Sequence, residues 1–439
     1  GENKIITKKS NGKHVNKYKL KLKYSEIVLI NMNIVNLELL PQQRPHKNIL
    51  EVFEDEKKTT HGFVCVSAPM VRYSKLEFRR LIREHGVKLA FTPMIIADSF
   101  IHSQKARDNE FTTCVEDVPI ISQFAACDAY EFSLAAQLIY PYVDGVDLNC
   151  GCPQSWAISK GYGCGLLRQP ELVRDIIQTA RRVLPQNFSI SVKLRLLNGN
   201  AEESIRSTVE LARQLEKCGA TFLNLHGRTM WQKTSDPLNI PAMTEIKKSI
   251  QIPLVVNGNV RSWKDAIDLH EQTQADGIMS ARGLLSNPAL FNKQITGTET
   301  PMECVQEWLD IATSAGENIN FQCFHHHLTF MWSSHMKRKL RLEFNNFTNK
   351  QQVFNFFEER YGLRPQKSSY INTLNYTKCI YPHVPHTNNK TERAQAGQAW
   401  SENSNGKYFN EFKEDLTKEQ CSEEQDDFNL EGSFFTDLG

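Results

Sequence analysis

The sequence predicts an α/β fold: a (β/α)8 TIM barrel followed by a small C-terminal helical bundle, with a poorly ordered extension at each end. Three observations lead there. Eight short apolar runs recur between residues 63 and 280 and mostly alternate with stretches of helical periodicity, the pattern of parallel βα units. The repeat fills about 220 to 250 residues, the usual span of such a barrel. Beyond about Pro301 the apolar runs stop and only helical patterns continue.

Residues 1–60 show little periodicity and are expected to be a basic, poorly ordered extension. The first run, Phe63–Ser67, ends in Ala68-Pro69-Met70-Val71. A helix is predicted over Ser74–His85, with Leu76, Phe78, Leu81 and Ile82 on its apolar face and Gly86 as its stop. The next runs are Leu89–Thr92 and Pro119–Phe124, followed by a helix over Asp128–Tyr140. Gly145–Asn149 is the fourth, with a helix over Pro170–Val183. Phe188–Leu194 leads into a helix over Glu202–Cys218. Thr221–Leu225, Pro253–Val256 and Asp276–Ser280 complete the set, with a helix near Ser262–Glu271. The barrel is therefore placed at 61–298. Helices over Met302–Ser314, Phe321–Leu342 and Lys350–Arg360 make a bundle at 299–362. Residues 363–439 are polar and acidic and are expected to be disordered. A doubly wound sheet is the structural alternative. It would carry a G-x-G-x-x-G turn after its first strand, where this chain has Ala68-Pro69-Met70-Val71-Arg72.

Composition narrows the function classes. The net charge of +2 is nearly neutral, but the first fifty residues are basic and the far C-terminus is acidic. That asymmetry suits a nucleic-acid partner, although solvated tails are the commoner cause. Eleven cysteines without a secretion signal point to reduced thiols in the cytoplasm, with the nucleus as the alternative. No run is long and apolar enough to span a bilayer. The Lys/Asn-rich start lacks the character of a transit peptide.

In a barrel of this kind the active site lies at the C-terminal ends of the strands. The polar residues there form a set: Pro69-Met70, Gln123, Asn149 with Cys152, Lys193 with Arg195, His226 with Arg228, Asn257-Gly258-Asn259, and Ala281-Arg282-Gly283. Cys152 can be a general acid or a nucleophile; a small buried hydrophobe is the plain alternative. Cys150, Cys152 and Cys164 lack the paired spacing of a zinc site. Lys193 calls for a negative partner, such as a phosphate or an electron-rich ring, or else snorkels to the rim. His226 can donate to an anion or sit satisfied in the core. The turns after the seventh and eighth runs are where phosphate often binds, with Ser286-Asn287-Pro288 as a candidate start of a short helix. In the bundle, His325-His326-His327, Phe330, Trp332, His335, Lys337, Arg338, Lys339 and Arg341 form a basic, aromatic strip. It suits a phosphate backbone with stacked bases, and equally an ordinary solvated helix face.

Taken together, Ala68-Pro69-Met70, Asn149-Cys150-Gly151-Cys152-Pro153, Gly161-Tyr162-Gly163, Lys193-Leu194-Arg195, His226-Gly227-Arg228-Thr229 and Asn257-Gly258-Asn259 resemble the tRNA-dihydrouridine synthases, over about residues 63–362. Thr92-Pro93-Met94-Ile95, Lys105-Ala106-Arg107-Asp108 and Cys323-Phe324-His325 look most like the eukaryotic class acting at D-loop positions 20a and 20b. The resemblance implies an FMN barrel with a helical tRNA-binding domain and NADPH or NADH as reductant. It implies Cys152 as the general acid and Asn149, Arg195 and Arg228 at the target nucleotide. Pro69, Met70, Val71, Gln123, Lys193, His226, Asn257, Gly258, Asn259, Ala281 and Arg282 would surround FMN, and Lys337, Arg338, Lys339 and Arg341 would meet tRNA. Ala281 departs from the Gly of many relatives. A monomer without membrane attachment is expected. An FMN barrel acting on a small molecule, and a tRNA-binding protein without catalysis, are the alternatives.

Overall fold

A computed structural model describes residues 45–366 except 296. Nine strands form one all-parallel sheet: β1 Val64–Ser67, β2 Ala90–Phe91, β3 Ile95–Ile96, β4 Ile120–Ala125, β5 Gly145–Cys150, β6 Ser189–Arg195, β7 Phe222–His226, β8 Leu254–Asn257 and β9 Gly277–Ser280. The order is β1-β9-β8-β7-β6-β5-β4-β2, with β3 also on β4. A parallel bridge from Val66 to Leu89 joins the two ends. Ser67 N donates to Leu89 O (3.0 Å) and Lys88 N to Cys65 O (2.9 Å) across it. The sheet is thus a closed barrel, which excludes the doubly wound alternative. β2 falls inside the predicted run Leu89–Thr92, and β3 is a further short strand beyond it, separated by Pro93, which has no N–H to give.

The helices are α1 Ile49–Lys57, α2 Leu76–Glu84, α3 Ala97–His102, α4 Gln104–Glu110, α5 Ala129–Ile139, α6 Ser155–Ser159, α7 Pro170–Val183, α8 Ala201–Lys217, α9 Ile240–Ser249, α10 Trp263–Thr273, α11 Arg282–Ser286, α12 Met302–Ala315, α13 Phe321–Trp332, α14 Arg338–Asn345 and α15 Lys350–Tyr361. Local chemistry sets many of the starts. Pro170 opens α7, where a missing N–H costs nothing. Asn200 caps α8, and Ser262 with Asp265 forms a capping box on α10. The barrel interior and its helix-facing side make one hydrophobic core that runs on into the bundle.

Three expectations are corrected. The extension predicted to run to residue 60 ends earlier, because α1 lies inside it. Ile49, Val52 and Phe53 share one face at helical spacing and are buried, and the Phe53 ring lies 5.5 Å from Phe222. Phe222 begins β7, so α1 closes the end of the barrel opposite the strand C-termini. Second, the helix expected over Phe321–Leu342 is broken between α13 and α14. Trp332 stacks on His335 at 4.2 Å, and the chain turns there so that Met336 is buried. Third, α9 is a helix that the sequence pattern does not announce. It buries only Ala242, Met243 and Ile246, too narrow a stripe to stand out. The expectations for residues 1–44 and 367–439 lie outside the described residues. Among the described residues no helix is long and apolar enough to cross a membrane.

Candidate active site

Strand register stacks the interior polar residues in rows. Gln123 pairs with Asp147, and Asp147 with Ser191. Asn149 pairs with Lys193, and Lys193 with Asn224. Arg195 pairs with His226, and His226 with Asn257. Residues two apart on a strand share a face, so Asp147 and Asn149 on β5, and Ser191, Lys193 and Arg195 on β6, all point the same way.

Asp147 anchors a chain of hydrogen bonds through these rows. Ser191 Oγ (2.6 Å) and Asn224 Nδ2 (3.0 Å) donate to its Oδ1, and Gln123 Nε2 (2.8 Å) donates to its Oδ2. Gln123 Oε1 then accepts from Asn149 Nδ2 (2.8 Å). That leaves Asn149 Oδ1 to accept from the backbone N–H of Gly151 and of Cys152, each at 3.0 Å. An ionised carboxylate can only accept, so Asp147 dictates the orientation of both amides in turn. Burial pushes its carboxyl up to about 6, against the pull of Ser191, Gln123 and Lys193.

Cys152 is held from two further sides. Arg195 Nε donates to Gly151 O (2.9 Å). Gly163, at φ +57°, lies beneath Cys152, where an added Cβ would sit 2.5 Å from Cys152 O. Only glycine fits that approach. Cys164 N donates to Cys152 O (2.9 Å). Met94, Ala157 and Tyr162 pack around the thiol's side chain, and Cys152 keeps 9 % exposure. Cys150, by contrast, is wholly buried, and burial raises its thiol far above the usual range. It is a core residue.

Lys193 is buried, and its Nζ makes no hydrogen bond among the described residues. Burial, with Arg195 nearby, pulls it down to about 8, and Asp147 opposes that. His226 is driven well below its ordinary value by burial and by Arg195, Lys193 and Arg228, so its ring is neutral. Its Nδ1 is buried without a partner. Two unspent polar groups therefore sit at neighbouring strand ends, and each such group is costly unless something pairs with it. An anionic flavin edge or phosphate suits this donor set, so the residues fit FMN.

Other predicted residues are placed differently. Arg228 is 1 % exposed. It donates to Asp236 O (2.8 Å), Thr234 O (2.9 Å) and Asn259 Oδ1 (3.0 Å), so it braces the loop after β7. Asn259 is committed to Arg228 and takes a left-handed φ of 54°. Asn257 donates to Met279 O (3.0 Å). Gly258 lies against Leu238, where a Cβ would come within 2.4 Å. Arg195 also spends its donors on backbone, at Gly151 O and Thr229 O. Met70 is buried, with its N–H on Ser74 Oγ (2.9 Å), whereas Pro69 is half-buried and Val71 exposed. Ala281 and Arg282 are half-buried at the start of α11. That short helix begins at Arg282 and ends at Ser286, so Ser286-Asn287-Pro288 closes it and does not start it.

In the bundle, Lys337, Arg338 and Lys339 are exposed and Arg341 half-buried, on one turn at the start of α14. Part of the aromatic strip is committed to the core. His325 Nε2 donates to Phe344 O (2.8 Å) and its ring stacks on Phe344; His327 Nε2 donates to Tyr73 O (3.2 Å) and its ring stacks on Phe78. Trp332 is buried. Asp147, Ser191 and Asn224 were missed from sequence. The available signal was a charged residue two positions before Asn149 inside an apolar strand.

A closed parallel barrel with a braced thiol, a buried lysine and an unpaired imidazole nitrogen at its strand C-termini defines an α/β-barrel enzyme site. The chain belongs to the dihydrouridine synthase (Dus) family, whose family model matches residues 66–370. It is 42% identical over 321 residues to a Mus musculus protein named tRNA-dihydrouridine(20a/20b) synthase (NAD(P)+)-like, covering 73% of this chain and 94% of the relative. The Homo sapiens protein of the same name is 40% identical over 322 residues, 73% of this chain and 96% of the relative. The Schizosaccharomyces pombe tRNA-dihydrouridine(20a/20b) synthase (NAD(P)+) is 40% identical over 296 residues, 67% and 87%.

Proposed function

We propose that this protein is a flavin-dependent tRNA-dihydrouridine synthase. It reduces the C5–C6 double bond of a D-loop uridine, at position 20a or 20b, with NADPH or NADH as reductant. The observation that carries this reading is the chain from Asp147 through Gln123 and Asn149 to the Cys152 backbone, beside a buried lysine whose ammonium makes no hydrogen bond among the described residues. The names of the relatives supply the positions and the coenzyme.

Bound FMN would supply the hydride for C6. Lys193, His226 and Gln123 would hold its ring, and the turns at Asn257-Gly258 and Ala281-Arg282 its phosphate end. Cys152 holds at Sγ the proton that C5 needs. Losing it leaves a thiolate, and the positive charges of Arg195 and Lys193 act on that sulfur. Asn149 keeps one Nδ2 hydrogen beyond the one given to Gln123, available to a uracil carbonyl. A base in folded RNA must leave its stack to reach this site, at a cost of a few kcal/mol. The four cations near the start of α14 would repay part of that by gripping phosphates. A substrate of this kind places the protein with maturing tRNA, in cytoplasm or nucleus.

The test is NADPH oxidation by the purified protein, with and without unmodified tRNA, with dihydrouridine mapped by mass spectrometry. Oxidation coupled to new dihydrouridine at 20a or 20b is expected. Oxidation indifferent to tRNA, with none formed, would overturn the proposal.

A further inference from the structure

We propose that His85, Cys304 and Glu307 form a Zn2+ site at the seam between the barrel and the helical bundle, with water as the fourth ligand. His85 is the residue that ends α2. Cys304 and Glu307 are three apart on α12 and so share one face of it. Cys304 Sγ lies 3.4 Å from His85 Nε2, and Glu307 Oε2 lies 2.7 Å from the same nitrogen. The three ligand atoms all fall within 4.8 Å of one another.

The spacing suits a small tetrahedral cation. With Zn–S near 2.3 Å and Zn–N and Zn–O near 2.0 Å, ligand atoms stand roughly 3.3 to 3.6 Å apart. The imidazole and thiol are already at that separation. Glu307 must retreat by about half an ångström, and its side chain, 39% exposed, is free to do so. His85 and Cys304 are buried, so solvent, the fourth ligand and the metal itself enter on the carboxylate side. Thiolate, imidazole and carboxylate together favour Zn2+ over Mg2+ or Ca2+.

A merely hydrogen-bonded histidine is the competing account, and the zinc titration below separates the two. Nε2 takes both contacts, while Nδ1, also buried, has no partner. Both contacts converge on the one nitrogen, as they would around a shared cation. Binding replaces the thiol proton, which leaves to solvent, and no electron moves.

The site stands apart from Cys152. α2 descends from the C-terminal end of β1, so His85 lies at the barrel end opposite Cys152. Zinc there would lock the bundle that carries Lys337 to Arg341 onto the barrel.

The experiment titrates the purified full chain with Zn2+ against a chromophoric chelator and counts bound zinc by mass spectrometry. The wild-type protein is expected to hold one equivalent and to melt at a higher temperature with it than without. Cys304→Ser and Glu307→Gln should each weaken binding by more than the roughly 10- to 100-fold that loss of an outer-shell partner costs. Co2+ should give a thiolate charge-transfer band that Cys304→Ser abolishes. Because Glu307 is half-exposed, Glu307→Gln gives an answer even if Cys304→Ser fails to fold. No zinc on the folded wild-type chain, or equal uptake by wild type and Glu307→Gln, would overturn the proposal.

Discussion

Replacing Lys193 with methionine should make the flavin-free protein more stable while weakening its hold on FMN. Methionine is close to an uncharged lysine in length and flexibility, so the change mainly deletes a buried charge. The ammonium is pulled from 10.5 to about 8, and at about 1.36 kcal/mol per pKa unit this is about 3 kcal/mol. The folded-state value is depressed, so the stability linked to this group is fully present above about pH 10.5 and is lost as pH falls to about 8. Below that the folded protein carries the charge at full cost. The gain from Lys193→Met should be about 3 kcal/mol at pH 7 and shrink to about 1.4 kcal/mol at pH 9.5. The assay is urea unfolding of both proteins, stripped of flavin, at the two pH values. FMN affinity is measured beside it by flavin fluorescence. A variant that is destabilised, or whose gain does not change with pH, would refute the reasoning. So would a variant that binds FMN as the wild type does.

The remaining predictions concern the thiol, the carboxylate behind it and the bundle. Cys152→Ala should keep FMN and lose about 10²- to 10⁴-fold in dihydrouridine formation, the range for a lost general acid; single-turnover kinetics would read it. Asp147→Asn should slow product formation without removing the flavin, because an amide no longer fixes the Gln123 and Asn149 orientations. It should also flatten the stability profile. The Asp147 carboxyl is raised to about 6, so its share of stability is present below about pH 4 and lost as pH rises through about 6. Thermal melts of wild type and variant from pH 4.5 to 7.5 would show this. Changing Lys337, Arg338, Lys339 and Arg341 to Gln should weaken tRNA binding. It should also lower the slope of log affinity against log salt by about 0.7 to 0.9 for each phosphate that is no longer neutralised.

Local sequence pattern determined much of this protein. Apolar runs and helical stripes placed all eight barrel strands and most helices, since periodicity of 2 or 3.6 is written into neighbouring residues. The α7 limits, Pro170 and Val183, match the prediction at both ends because a proline marks one and the end of the apolar stripe the other. The residues that follow each run placed Cys152, Lys193 and His226 at one end of the barrel. Tertiary structure decided what those side chains touch. Gln123 and Asp147 are 24 residues apart, and Asn224 and Asp147 are 77 apart. Only the parallel pairing of β4 through β7 sets the register that joins them. The same holds for Arg228 and Asn259, which pair with each other across 31 residues, and for His325 and His327, whose apparent exposure on a basic strip ends in the core. His85 and Cys304 are 219 residues apart. Nothing local relates them, and only the docking of the bundle on the barrel brings an imidazole to a thiol.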